Sequence, residues 1–169
     1  DNLTDTAIYD RIEIVRGATG LMLGAGNPSA AINLIRKRPT ANTQINLTAS
    51  LGSWDNYRAM VDVSGSINNS ESIRGRAVVA YQDRHSYQDR FSQTSQTLYG
   101  IIEADLSNST LLTLAVDNQS TTPKGTMSGG LPIFYSDGSR TAYDRGASTA
   151  QDWASSRTDA LNAFIRLEH

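Results

Sequence analysis

Few groups of residues in this 169-residue chain have types and spacings that could carry chemistry. Gly17, Gly20, Gly24 and Gly26 invite comparison with a phosphate-cradling loop, but their spacing fits neither the dinucleotide nor the P-loop fingerprint. Turn chemistry accounts for them better, because glycine tolerates positive φ and close backbone approach. Arg36, Lys37 and Arg38 form a basic run too short for a nucleic-acid or lipid-headgroup patch, and a junction between two parts of the chain suits it better. Glu103 and Asp105 stand at i, i+2 on one strand face, as paired acid–base carboxylates could. Side chains lining a water-filled surface explain them more simply. His85 and His169 are too few and too scattered to hold a metal, and with no cysteine there is no disulfide or zinc–thiolate site. No Ser or His sits in a recognisable nucleophile motif. The chain is therefore expected to be no enzyme and to hold no cofactor or metal of its own. Recognition chemistry concentrates in a long connection over residues 118–158. It carries Met127, Leu131, Tyr135, Tyr143 and Trp153 beside Arg140 and Arg145. Aromatic side chains bury much area at low entropic cost, and loops on rigid scaffolds commonly carry binding.

The elements that must position these residues read as strands. Ile45, Leu47, Ala49 and Leu51 alternate with polar neighbours, and so do Tyr57, Ala59, Val61 and Val63. The same period of two runs through Ile73–Gln82, Leu98–Leu106, Leu112–Gln119 and Leu161–Glu168, which makes six segments. Each is near the 9–11 residues that a tilted membrane strand requires. Met60, Val78, Ile101 and Phe164 break the parity by falling on the polar face. Minimal turns at Asn68–Ser70 and Ser107–Ser109 alternate with longer connections at about 83–95 and 118–158. Short turns on one side and long loops on the other mark an outer-membrane barrel, although the first connection, Gly52–Asn56, is short for the long-loop side. Trp54, Tyr57 and Tyr81 would form an aromatic belt at that end, while the parity of Tyr99 points inward.

Composition narrows the class without closing it. Only 38% of residues are hydrophobic, and the longest apolar run is Ala77–Tyr81, far short of the roughly 20 residues of a membrane helix. A net charge of −2 argues against a nucleic-acid partner. A soluble β-sandwich also alternates apolar-in and polar-out. Composition does not separate the two; strand length and loop asymmetry favour the barrel. Residues 1–40 differ from the rest. Ile8–Val15 and Ala30–Ile35 read as two strands around the glycine-punctuated stretch, the second stopped by Pro39.

Those first forty residues carry a specific resemblance. Arg11-Ile12-Glu13-Ile14-Val15-Arg16-Gly17-Ala18-Thr19-Gly20-Leu21-Met22, then Gly24-Ala25-Gly26-Asn27-Pro28-Ser29-Ala30-Ala31-Ile32-Asn33-Leu34-Ile35-Arg36-Lys37-Arg38-Pro39, resembles the end of the plug domain of TonB-dependent outer-membrane receptors. Asp10 stands where that family often has Glu. The wording of the motif is similar to the ferric-siderophore branch. Leu51-Gly52-Ser53-Trp54, Gly129-Gly130-Leu131-Pro132, Asp137-Gly138-Ser139, Tyr143-Asp144-Arg145 and Asp152-Trp153-Ala154 look most like hydroxamate-type receptors. Those for ferric coprogen and rhodotorulic acid are the nearest, with ferrioxamine and pyoverdine receptors as cousins.

The resemblance implies an all-β chain. Residues 1–40 would be the end of a plug, and residues 41–169 the first six or so antiparallel strands of a 22-stranded transmembrane barrel. It implies a piece of a longer receptor in the Gram-negative outer membrane, with the signal peptide and energy-coupling box outside this stretch. The implied ligand is a ferric siderophore whose iron arrives already chelated. The implied partners are that ligand, the TonB energy-coupling protein and outer-membrane lipid. Arg16 is expected to lock the plug to glutamates of the barrel wall. Trp153, Tyr135, Met127, Tyr143 and Arg140 are the expected ligand contacts. A non-transporting barrel, an adhesin or porin, would lack the plug signature.

Overall fold

A computed structural model describes residues 5–16 and 30–169. The glycine-punctuated stretch read above as turns lies outside the described residues. A single 3₁₀ turn, Thr6–Ile8, leads into β1 (Tyr9–Arg16), which pairs antiparallel with β2 (Ala30–Arg36). Then follow β3 (Gln44–Gly52), β4 (Asn56–Ser66), β5 (Ile73–His85), β6 (Ser92–Ser107), β7 (Thr110–Lys124) and β8 (Thr158–Glu168). These six form one antiparallel meander in chain order, each strand bonded to its sequence neighbour. All six predicted segments are strands, and the two predicted in residues 1–40 are β1 and β2.

The alternation sorts side chains cleanly onto two faces. One register row runs Val63, Ala77, Gly100, Val116, Ala163 across β4 to β8. On this outer face Leu47, Val79, Leu98, Val116 and Ile165 are all exposed, a continuous apolar band with no protein over it. Trp54, Tyr57 and Tyr81 are exposed too, toward the end carrying the longer connections. The opposite face carries Asp62, Ser64, Thr97, Glu103, Thr113 and Asp117, every one buried. An apolar exterior with a buried polar interior inverts the order of a soluble sandwich and is what a membrane wall requires.

The residues that broke parity explain themselves here. Val78 and Ile101 are buried on the inner face, and Met60 and Phe164 pack beside them. Together with Ala80, Tyr99 and Ala115 they receive Ala7 and Ile8, the latter wholly buried. The chain's small apolar core thus lies between the 3₁₀ turn and the inner face of the wall.

The strands are longer than the alternation predicted. The β5–β6 connection shrinks to residues 86–91, and the long one to 125–157. The extra residues, Ser92–Gln96 and Ser120–Lys124, carry no apolar face because both sides of these strand ends lie beyond the apolar band. Thr still favours extended backbone there. The β3–β4 hairpin is tight, with Trp54 (φ 59°) and Asp55 (φ 50°) both left-handed, the twist that suits a two-residue hairpin turn.

Candidate functional site

The inner face is a seat for the two-stranded unit, and the basic run Arg36-Lys37-Arg38 is its centre. Successive side chains of an extended segment point in opposite directions, so the three cations reach three different strands. Lys37 Nζ donates to Asp62 on β4 at 2.8 Å. Arg38 Nε donates to Glu103 on β6 at 2.5 Å. Arg36 Nη2 reaches Asp117 on β7 at 3.4 Å, with its guanidinium 5.5 Å from the Phe164 ring centroid. Asp62 also takes both Nε and Nη2 of Arg76 at 2.8 Å, and Arg76 Nη1 donates to the Arg38 carbonyl at 3.0 Å. The inward-pointing Tyr99 donates its hydroxyl to the Lys37 carbonyl at 2.7 Å. Arg36 is the least well served, since its Nε is buried without a partner among the described residues. Lys37 and Arg38 therefore define the seat.

A second attachment lies a short way along the same strands, toward the longer connections. Asp5 caps the 3₁₀ turn by accepting from the Ala7 N–H, and its two carboxylate oxygens accept from Arg58 at 2.8 and 2.9 Å. Its own N–H donates to Gln119 Oε1 at 2.7 Å. Burial pushes the Asp5 carboxyl up, but hydrogen bonds from Arg58, Ala7 and Thr97 together with the Arg58 charge outweigh it and hold the group below the ordinary carboxylate value.

The expected plug lock, Arg16, ends β1 opposite Ala30 and is exposed, with no ion pair to another described residue. The basic run leads from the end of β2 into the connection to β3, and Glu103, on the inner face, pairs with Arg38. Which acid meets which base was not readable. Pairs such as Lys37–Asp62 are set by strand register and by how the unit docks, and neither is local in sequence.

At the end of the wall that carries the longer connections, the connection 125–157 bears the expected ligand contacts. Tyr135 and Arg140 sit on a small hairpin closed by Tyr135 N–H to the Ser139 carbonyl at 2.8 Å and Thr141 N–H to the Ile133 carbonyl at 2.9 Å. Its turn uses Gly138 (φ 83°) and Asp137, whose carboxyl is held below its usual value by bonds from the Ser139 hydroxyl and N–H. Trp153, 82% exposed, projects from a separate corner at 150–154, and Tyr143 is also exposed between the two. Met127 is half-buried beside Gln88. No hydrogen bond or ring stack joins these five among the described residues, so they form an open surface and not a closed pocket. Sequence reasoning missed the groups that hold this surface, Tyr87, Asp89 and Arg90 on the 86–91 connection. Nothing in a polar six-residue stretch announces them. No group of three or more potential metal ligands lies together among the described residues.

Comparison with known proteins agrees with this architecture. No protein-family model matches the chain. The ferripyoverdine receptor of Pseudomonas aeruginosa is 45% identical over 170 residues, covering 100% of this chain and 21% of the receptor. The ferric-pyoverdine 358 receptor of Pseudomonas putida is 43% identical, covering 98% and 20%. The crystal structure of the Pseudomonas aeruginosa outer-membrane ferripyoverdine receptor bound to ferripyoverdine superposes with a TM-score of 0.91 at 46% identity, over 98% of this chain and 22% of that one. The chain thus spans about a fifth of the length of the relatives it matches. These relatives are pyoverdine receptors, so the branch is that of ferric-siderophore receptors without the coprogen placement read from the motifs. By sequence and by fold, the chain belongs to the TonB-dependent ferric-siderophore receptors of the outer membrane.

Proposed function

We propose that the receptor carrying this sequence binds a ferric siderophore at its outer face and imports it by TonB-dependent active transport. Residues 1–40 act as the end of the plug and residues 41–169 as the first strands of the wall. The observation that carries this reading is the seat. Three consecutive cations meet carboxylates of three strands inside a wall that is apolar outside. A barrel without a gated lumen has no use for such a fitted occupant. In this reading Arg16 pairs with wall glutamates on later strands and releases when the energy-coupling protein pulls. Trp153, Tyr135, Met127, Tyr143 and Arg140 form part of the outer ligand surface.

The ligand class is a ferric siderophore with its iron fully chelated, so the receptor supplies contact area and hydrogen bonds in place of metal ligands. Ferripyoverdine is the first candidate, because receptors for it match this chain over 98–100% of its length at 43–45% identity. A purely hydroxamate siderophore such as coprogen is the second, favoured by the Gly129–Pro132 and Asp152–Ala154 motifs. The test is growth under iron starvation of a strain lacking the gene, with and without a plasmid copy. It is supplied in turn with ferripyoverdine, ferric coprogen and ferric rhodotorulic acid, in backgrounds with and without TonB. Growth on one of them should require both the gene and TonB. If none depends on the gene, siderophore import is wrong.

A further inference from the structure

We propose that the short β5–β6 connection, residues 86–91, is a clip that presets the outer ligand surface, with Arg90 as its positioning residue. The inference rests on the reading above that the 125–157 connection contacts the siderophore. Arg90 Nη1 donates to the carbonyl of Ala150 at 2.7 Å, and Ala150 is 3% exposed. Arg90 Nε also reaches Asp152 at 3.1 Å. These two bonds hold the corner from which Trp153 projects. One residue earlier, the Asp89 N–H donates to the Gly146 carbonyl at 2.8 Å, three residues past Tyr143. The Arg145 guanidinium lies 5.2 Å from the Tyr87 ring centroid, and Tyr87 in turn meets Trp54 edge-on at 6.2 Å. Three connections at this end of the wall are thereby joined through one short loop.

Two glycines show that the fit is close. A Cβ at Gly146 would stand 2.8 Å from Asp89 Oδ1 and 3.0 Å from the Tyr87 carbonyl. Gly125, with φ +62°, opens the long connection directly against the Arg90 backbone, where a Cβ would run into the carbonyl oxygen. Its N–H closes the base of the loop on the Ala154 carbonyl at 2.7 Å. Arg90 itself sits at φ +70°, a conformation that a non-glycine residue holds only when its surroundings require it.

The chemistry predicts which bond matters. Arg90 and Asp152 are both largely exposed, and exposed ion pairs contribute little. The Ala150 carbonyl is buried, and a buried acceptor that loses a charged donor bears the full desolvation cost. A long loop left free would have to be ordered at the moment of binding, which weakens affinity. The clip orders it beforehand.

The experiment uses the whole receptor carrying this sequence, read by two measurements. Hydrogen exchange over residues 143–154 of the ligand-free receptor reports the clip alone. Uptake of iron-labelled ferripyoverdine reports the ligand surface. Arg90→Ala should speed the exchange and raise the uptake KM roughly tenfold, with Vmax unchanged. Arg90→Lys, which keeps a donor for Ala150, should recover most of both effects, and Asp152→Ala should change neither. Trp153→Ala should raise KM without altering exchange. Unchanged exchange in Arg90→Ala would overturn the clip. Faster exchange, with KM unmoved in both Arg90→Ala and Trp153→Ala, would overturn the assignment of this loop to the ligand while leaving the clip as structure.

Discussion

Asp62 is the residue on which the seat depends most. Its carboxylate, 3% exposed, accepts from Lys37 Nζ, Arg76 Nε and Arg76 Nη2, all at 2.8 Å. Lys37 and Arg76 are themselves 17% and 12% exposed, so neither can turn fully to water while the unit stays docked. Asp62→Ala removes one buried anion and leaves two half-buried cations facing each other. Arg76 keeps its bond to the Arg38 carbonyl; Lys37 keeps no side-chain acceptor among the described residues. Breaking a buried pair by deleting one partner costs about 3–5 kcal/mol. Even about 3 kcal/mol changes the ratio of seated to unseated molecules by more than roughly a hundredfold.

The assay is protease access to the connection between β2 and β3 at residues 37–43 in the intact receptor, followed against temperature. Asp62→Ala should expose that junction well below the temperature at which the barrel itself unfolds. The double variant Asp62→Ala with Lys37→Met should recover part of the loss, because it removes one of the stranded charges. Asp105→Ala is the control. That carboxylate pairs with Arg74 in the open, and its loss should leave seating unchanged. If Asp62→Ala behaves no differently from Asp105→Ala, the buried charges do not hold the seat and the reasoning fails.

Two further expectations concern the other attachment and the outer face. Asp5 has a folded-state pKa below its ordinary value, so its contribution is fully present above the unfolded pKa of about 3.9 and is lost as pH falls through the folded one. Protection of the amides at residues 5–8, with exchange corrected for its intrinsic pH dependence, should stay constant from pH 8 to about 5 and fall only below about pH 4; Asp5→Asn should remove that acid step, and loosening already at pH 6 would assign the anchor to other groups. Val79→Arg places a charge in the apolar band and should cost about 2–4 kcal/mol near the bilayer midplane. Gln82→Arg, toward the interior, should cost much less by barrel unfolding in lipid, and equal costs would contradict the assignment of faces.

Most of the wall was legible because a membrane strand declares itself twice, by period and by loop length. Leu47, Val61, Val79 and Ile165 had to share a face for the pattern to mean anything, and they do. What was not legible lies where the pattern has no reason to persist. The ends of β6 and β7 run on through Ser, Thr and Gln because both faces there meet polar surroundings, so period two carries no signal. The partners of Arg36, Lys37 and Arg38 were hidden for a different reason. Each bond joins residues between 25 and 81 positions apart, and only strand register and docking decide which acid meets which base. The clip made by Arg90 was hidden likewise, because its chief acceptor is a backbone carbonyl, which every residue possesses.

The four breaks in alternation are the most informative residues of the wall. On a face that meets water, an apolar side chain is a cost unless something covers it. Val78, Ile101, Met60 and Phe164 lie together, and what covers them is the 3₁₀ turn carrying Ile8. That apolar contact is small. Fully burying one isoleucine stabilises by about 1.5–3 kcal/mol, and the attraction has no direction. It can draw the unit against the wall without fixing where it sits. Position must come from bonds that fail when displaced by an ångström, and those are the carboxylates placed around the apolar patch. Asp62 and Glu103 flank it on one side, with Asp117 and Arg58 on the others. The alternation breaks therefore mark where the two-stranded unit rests, and the charges around them set how it is aligned.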